Sequence, residues 1–386
     1  MSNSLFIFNF RKLKFLSNIN ITNKHMKKLI YNCFLFIIPI ITLSLIEILL
    51  PSTFFSFRTW EGISFTTDIS HQSTFYPNSK TFMNASGDLC HHTNKAVSKN
   101  ELWITDKLGF RNNKFIKAAD ILFIGDSFIA GSGLSQNEII SNKVKIKLKN
   151  NVKVYNMAPS SFLEFDYFLK NGFIKKPKLI IFSIVERNIP TSFVKYRMGN
   201  IFTKTLSNCN MNVYIDKGLR FSSIKWLKAR IQNSKGFGIP SQCNTNMFFL
   251  QGNQQKHKKD DLQTTLLNLL AYKKYCDSLG ISFIFLPMPD KESVYYDLVP
   301  FDKQPNYLFQ LDSLLHEKDI LTINTLKIYN NYRKTNKNLI YHLDDTHWNS
   351  NATEIISKEI VKFIYDFKRR ADSSNKCNLS IVINSL

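Results

Sequence analysis

Acidic residues are scarce in this chain. Over 386 residues, 29 Asp and Glu stand against 51 Lys and Arg, a formal charge of +22, and none precedes Glu47. Cysteine is sparse too. Of the six, Cys33 falls in an apolar run, while Cys90, Cys209, Cys243, Cys276 and Cys377 form no C-x-x-C pair and no His-flanked metal spacing, which leaves no zinc or dithiol signature. Cys209 and Cys243 flank one polar stretch and are read either as a disulfide or as free thiols. There is no internal repeat, and no Gly-Lys-Ser/Thr follows a glycine turn, which disfavours a nucleotide phosphate loop. Hydrophobic residues make up 44% and charged residues 21%, so disordered, collagen-like and polytopic membrane chains are excluded. The length suits one large α/β domain with attachments, or two modest domains.

Long hydrophobic runs are absent but for one. Leu29–Leu50 is 22 residues long and is interrupted only by Asn32, Pro39, Thr42, Ser44 and Glu47, enough to cross ~30 Å of hydrocarbon. It exceeds the apolar region of a signal peptide, and no small-x-small cleavage site follows it. Arg11, Lys12, Lys14, Lys24, Lys27 and Lys28 all precede it. The positive-inside rule then keeps residues 1–28 in the cytoplasm and exports everything after Pro51. The expectation is a single-pass anchor with a periplasmic or otherwise extracytoplasmic domain. Met26-Lys27-Lys28 would itself be a natural start for such an anchor, making residues 1–25 an extension with no fold of their own. Beyond residue 50 remain 45 basic and 28 acidic residues, a net +17. The short cluster Lys256-His257-Lys258-Lys259 runs into Asp260-Asp261 and belongs to no nucleic-acid motif. The basic surface therefore points to an acidic polysaccharide or anionic membrane, or to plain lysine-rich composition, rather than to nucleic acid.

Residues 51–107 are polar with scattered aromatics and read as a membrane-proximal stalk or small cap. From there the pattern alternates. Short apolar runs at 119–125, 152–157, 178–185, 281–286 and 320–323 read as strands with both faces covered. Helical spacing at 136–148, 162–174, 261–279, 307–316 and 352–367 falls between or after them. Such alternation predicts right-handed βαβ crossovers and a parallel sheet flanked by helices. Residues 190–259, rich in Asn, Ser, Lys and Gly, break the rhythm and read as an insertion covering the active edge of the sheet. The domain is expected over 108–370, with a tail at 371–386.

Two segments carry chemistry. In Ile121–Gly133 the first strand ends at Gly125-Asp126-Ser127 before a helix. Ligands of open parallel sheets bind beyond the carboxyl ends of strands, and Ser127 with its own N–H at a helix start suits nucleophilic attack on an acyl carbon. A serine nucleophile needs a base, and the base an orienting carboxylate. Among eight histidines, His347 has that company: Asp345 lies two residues before it and Asp344 three, in a loop leading to the last helix. Either carboxylate could accept the Nδ1 proton and leave Nε2 facing the serine.

Gly-Asp-Ser after the first core strand, with Asp345-Thr346-His347-Trp348 near the C-terminus, resembles the SGNH/GDSL hydrolase superfamily, in particular its alginate O-acetyltransferase-like branch. Gly109-Phe110-Arg111, Glu186-Arg187 and Pro289–Tyr295 fit the same branch, and the resemblance spans about residues 106–368. It implies a Ser127, His347, Asp345 triad, with Asp344 the fallback acid, that moves an acetyl group to a cell-envelope or secreted polysaccharide without a cofactor or metal. It further implies a multi-spanning membrane acyltransferase as the acetyl source. An acetylesterase, or a non-catalytic accessory protein of an acyl-transfer complex, is the alternative on the same fold. The family's V-x-N-x-G-x-x-G block reads Val154-Tyr155-Asn156-Met157-Ala158-Pro159-Ser160-Ser161, where Ala158 keeps an N–H for an oxyanion and Pro159 has none. Its G-x-N-D block is absent and is replaced by Val185-Glu186-Arg187-Asn188, so Arg187 or Asn188 is the candidate third donor, or an ion-pair partner. Asp126 is a further substrate candidate. Trp348 is expected either to stack on a sugar ring or to be buried at the helix start. Lys291 and Arg111 are expected to meet an anionic polymer or to serve structure.

Overall fold

A computed structural model describes residues 24–66, 75–91, 93–149, 152–189, 211–231, 238–240, 246–250, 259–300 and 303–373. The chain opens with α1 (Lys24–Leu49), a helix long and apolar enough to cross a membrane, none of whose apolar window is buried. A short α2 (Thr59–Ile63) and an antiparallel hairpin of β1 (Lys80–Ala85) and β2 (Lys99–Ile104) follow. Next come β3 (Ile121–Ile124), α3 (Ser127–Ala130), α4 (Ile140–Lys147), β4 (Val154–Asn156), α5 (Phe162–Lys170) and β5 (Leu179–Phe182). The described parts of the expected insertion are α6 (Met211–Arg220), α7 (Ser222–Ile231), and the small pair β6 (Gly238–Pro240) and β7 (Phe248–Leu250). Then come α8 (Lys259–Ser278), β8 (Ser282–Phe285), α9 (Lys291–Val294), α10 (Tyr307–Glu317), β9 (Leu321–Thr322), α11 (Thr325–Thr335) and α12 (Ser350–Ser373). Cys209, Cys243 and Cys377 lie outside the described residues, and Cys33, Cys90 and Cys276 are free thiols.

The five-stranded sheet runs β4-β3-β5-β8-β9, every pairing parallel. Each of the expected strands is present, though shorter than its apolar run. The chain winds outward from β3 in both directions, so the strand order reverses between β3 and β5, where open α/β sheets hold their ligands. All residues of β3, β4 and β5 are buried, as a sheet covered by helices on both faces requires. The helix expected over 136–148 breaks into a turn of 3₁₀ helix at Gln136–Glu138 and α4, because Ser135 and Glu138 close a capping box there. Helix α11 falls where the apolar pattern is thin, and α12 runs to Ser373, past the expected boundary at 370.

Candidate active site

Ser127 follows the carboxyl end of β3 and opens α3. Asp126 caps that helix, its carboxylate accepting the Phe128 N–H at 3.0 Å and, from the neighbouring β5 edge, the Val185 N–H at 2.8 Å. Both oxygens of Asp126 are thereby engaged in backbone structure, and its burial pushes the carboxyl up. The helix stops after one turn because Gly131 takes φ +84° and returns its N–H to the Ser127 and Phe128 carbonyls; a left-handed residue here favours glycine. The Ser127 N–H sits at the first helical position, among the groups a helix start leaves without an intrahelical acceptor.

His347 reaches Ser127 across 220 residues of sequence, with Nε2 2.7 Å from Oγ. Its Nδ1 lies 2.6 Å from Asp345 Oδ1, which also accepts the His347 backbone N–H at 3.0 Å. Burial alone would raise the Asp345 carboxyl, but His347, its hydrogen bond and nearby Lys99 outweigh it and hold the group well below the usual carboxylate range. Asp344 faces the other way. It is fully buried and accepts from the Gly87 N–H at 2.8 Å, the Val97 N–H at 2.8 Å and Lys99 Nζ at 2.7 Å. Of the two acids left open by the sequence, only Asp345 touches the imidazole.

The histidine loop is fixed from three sides. Beneath it, Lys291 is fully buried and donates to the carbonyls of His342 (2.5 Å), Leu343 (3.0 Å) and Asp345 (3.1 Å). Burial brings its ammonium down to about 8. Beside it, the Trp348 indole is fully buried and donates to the Phe128 carbonyl at 3.1 Å, while the Phe128 ring lies 4.8 Å from the imidazole. Over it comes the turn of the β1–β2 hairpin, where Asp88 accepts the Thr346 N–H (2.8 Å) and Oγ1–H (2.6 Å) and stands 3.9 Å from His347 Nδ1. Burial and the charge of Asp345 push the Asp88 carboxyl up. Gly87 is required in this turn, since a Cβ there would fall 2.0 Å from the Asp344 carbonyl oxygen. Residues of the segment expected to be a stalk or cap thus touch the site directly.

The structure decides between the readings left open for Trp348, Arg111 and Lys291, and corrects the one for Ala158. Trp348 has no face open to a sugar. Arg111 is fully buried over Trp103 and donates to the carbonyls of Leu102, Ala130, Gly131 and Leu134, so it secures the turn after α3 and meets no polymer. Lys291 is likewise internal. The Ala158 N–H is not open to an oxyanion, because the Asn156 side-chain oxygen takes it at 2.9 Å. Arg187 pairs with Asp290 and lies 5.7 Å from the centre of the Phe128 ring. Burial opposes its charge, yet Asp290 and Asp126 hold the guanidinium above its ordinary value. Asn188 closes a 3₁₀ turn whose N–H donates to Val185.

Asp88, Asp345 and His347 bring ligand atoms within 4.8 Å of one another, the spacing a metal needs. Asp345 and Asp88 are already committed, however, to the imidazole and to Thr346. Gly87, Asp88 and Lys99 were not legible in the sequence, since their partners lie far along the chain, and the segments holding Glu186 and Asp290, though singled out there, did not announce that the two are buried side by side. What the row of Ser127, His347 and Asp345 can do is remove a proton from Oγ and hold the resulting imidazolium beside a carboxylate.

No protein-family model matches the sequence, and no curated protein matches it. The structure is similar to that of a "putative acylhydrolase" from Bacteroides fragilis, covering 64% of this chain and 86% of that one at 11% identity with a TM-score of 0.33. A likeness of that degree assigns no activity.

Proposed function

We propose that the chain is a membrane-anchored acyl-transfer enzyme that moves an acetyl group through Ser127 to a hydroxyl of an extracytoplasmic polysaccharide. The observation that carries this reading is the continuous hydrogen-bonded row Ser127–His347–Asp345 at the strand-order reversal of a parallel sheet. His347 Nε2 takes the Oγ proton as Oγ bonds to the acyl carbon. The carbonyl electron pair moves onto oxygen, facing the Ser127 N–H, with the Arg187 guanidinium as the positive charge nearby. Collapse of the adduct expels the donor's leaving group, which takes the proton from Nε2. In the second half the acceptor hydroxyl gives its proton to Nε2 and attacks the acyl-serine, and Ser127 recovers its proton as it leaves. Asp345 keeps Nδ1–H oriented and balances the imidazolium throughout. The Asp345-Thr346-His347-Trp348 motif and the apolar α1 support the acetyltransferase form, with a multi-spanning membrane protein delivering the acetyl group.

One observation favours a second reading. The Ser127 side chain is only half-buried, so water can compete as acceptor and the same site would then act as an esterase. Full-length protein in detergent, incubated with p-nitrophenyl acetate, should carry an acetyl adduct on Ser127 by mass spectrometry, and Ser127→Ala should carry none. Absence of adduct and of ester turnover in the wild type would overturn the reading in favour of a non-catalytic accessory role. Adding an oligosaccharide separates transfer from hydrolysis by whether acetyl appears on sugar or as free acetate.

A further inference from the structure

Helix α6 is built inside out. Its buried residues are Asn212, Asp216, Gly218 and Arg220, while Met211, Tyr214, Ile215 and Leu219, which recur at helical spacing, are exposed. A helix facing water shows the reverse pattern. Two residues of that polar face, Asp216 and Arg220, hold the helix to α2 and the segment after it. Asp216 accepts from the Thr66 N–H (2.9 Å), Thr66 Oγ1 (3.1 Å) and Tyr76 Oη (2.7 Å), and Arg220 donates to the carbonyls of Glu61, Gly62 and Ser64. Helix α7 adds the exposed stripe Ile224, Leu227 and Ile231, flanked by exposed Lys225 and Lys228.

Both helices are fastened where α1 ends. Lys217 Nζ donates to the Ile48 carbonyl (2.8 Å) and the Leu50 carbonyl (2.7 Å), groups a helix C-terminus leaves open. Gly218 lies against Ile48, where an added Cβ would fall 3.1 Å from Cδ1. The Ser223 N–H, in the first turn of α7, donates to Glu47 at 2.5 Å, which gives the one acidic residue of the apolar run a partner. On the same final turns of α1, Leu45, Ile46 and Leu49 are exposed.

We infer that α6 and α7 lie in the interfacial layer of the bilayer at the point where α1 leaves it, their apolar faces in the acyl boundary and Lys225 and Lys228 among the headgroups. The occupant of the surface is lipid because the helix to which it is bolted is the one that crosses the hydrocarbon, and basic flanks beside an apolar stripe suit an anionic interface. The inference rests on reading α1 as the membrane anchor. It seats the hairpin and histidine loop at a fixed height above the membrane.

The test places p-benzoylphenylalanine, one position at a time, at Leu219, Leu227 and Ile231, at Phe36 within α1, and at exposed Leu267 on α8. The full-length protein is reconstituted in vesicles of phosphatidylcholine and phosphatidylglycerol in equal parts. Circular dichroism checks each variant's fold before irradiation. Phospholipid adducts should form at Leu219, Leu227 and Ile231 to an extent comparable with Phe36, and not at Leu267. Adduct at Phe36 alone overturns the interfacial seat while leaving the anchor standing, whereas no adduct at Phe36 removes the anchor and the inference with it. In membranes of the expressing cell, cross-links from Leu227 and Ile231 to a protein instead of lipid would overturn the lipid assignment.

Discussion

The two adjacent carboxylates of the histidine loop have opposite surroundings, and substitution should separate them. Asp345→Asn replaces the carboxylate at Nδ1 with a neutral amide, which favours the wrong imidazole tautomer and no longer balances the imidazolium, and should lower kcat by ~10⁴ with the fold retained. Asp344→Asn leaves Lys99 with only the Asp345 carboxylate, 4.0 Å away, as counter-charge, and loss of the closer partner of a buried pair is destabilising, so it should lower the melting temperature far more than the kcat of the protein that remains folded. Equal kcat losses in the two variants would sink the assignment. Trp348→Phe tests the indole in the same way. Losing the bond to the Phe128 carbonyl should cost about 1–3 kcal/mol of stability with KM for the proposed glycan acceptor unchanged, and a raised KM with an unchanged melting temperature would show that the ring meets the acceptor after all. Glu186, fully buried beside Asp290, has its carboxyl pushed up to about 8 by burial and by that neighbour. Between the ordinary carboxylate value and that point the folded chain holds a proton the unfolded chain has lost. Its contribution is therefore complete at acid pH and is lost as pH rises through this window, by up to a few kcal/mol. Glu186→Gln should flatten the decline in melting temperature between acid and mildly alkaline buffer; an unchanged slope would refute the assignment.

Among the elements, the β1–β2 hairpin is the one whose distance in sequence conceals its part in the site. Its turn holds Thr346 through Asp88 and Asp344 through Gly87, Val97 and Lys99. Displacing a catalytic group by about 1 Å costs on the order of 10²-fold in rate, so Asp88→Ala should lower kcat by about 10- to 100-fold while leaving KM and the far-ultraviolet spectrum near wild type. A variant with full kcat would show the hairpin to be mere cover. The strands and the two motifs were legible because each is a local pattern, a short apolar run or a few residues in fixed order. What was not legible depends on distant acceptors. Nothing near Arg111 or Lys291 in sequence announces the carbonyls that surround them, and the loss of the Ala158 N–H turns on the placement of the Asn156 amide. Helix α11 escaped for a different reason: Leu326, Ile328 and Tyr329 are nearly all its apolar side chains among Asn, Lys, Arg and Thr.

At the scale of the whole molecule, the expected orientation puts the basic N-terminus in the cytoplasm and the sheet outside it. A C-terminal reporter that is active only outside the cytoplasm should be active, and the protein should resist extraction from membranes at alkaline pH; an active cytoplasmic reporter in its place would refute the topology. The site is assembled from pieces that the chain delivers early and late. Ser127 and His347 are 220 residues apart and Gly87 and Asp344 are 257 apart. Contacts of such separation form slowly, because closure of the long loop precedes its reward. During synthesis the nucleophile is thus made long before its base exists. For the proposed acyl transfer, the nascent chain carries a serine with nothing to activate it until almost its last segment has emerged, so an unfinished molecule would capture no acyl group and activity would arrive together with completion of the fold.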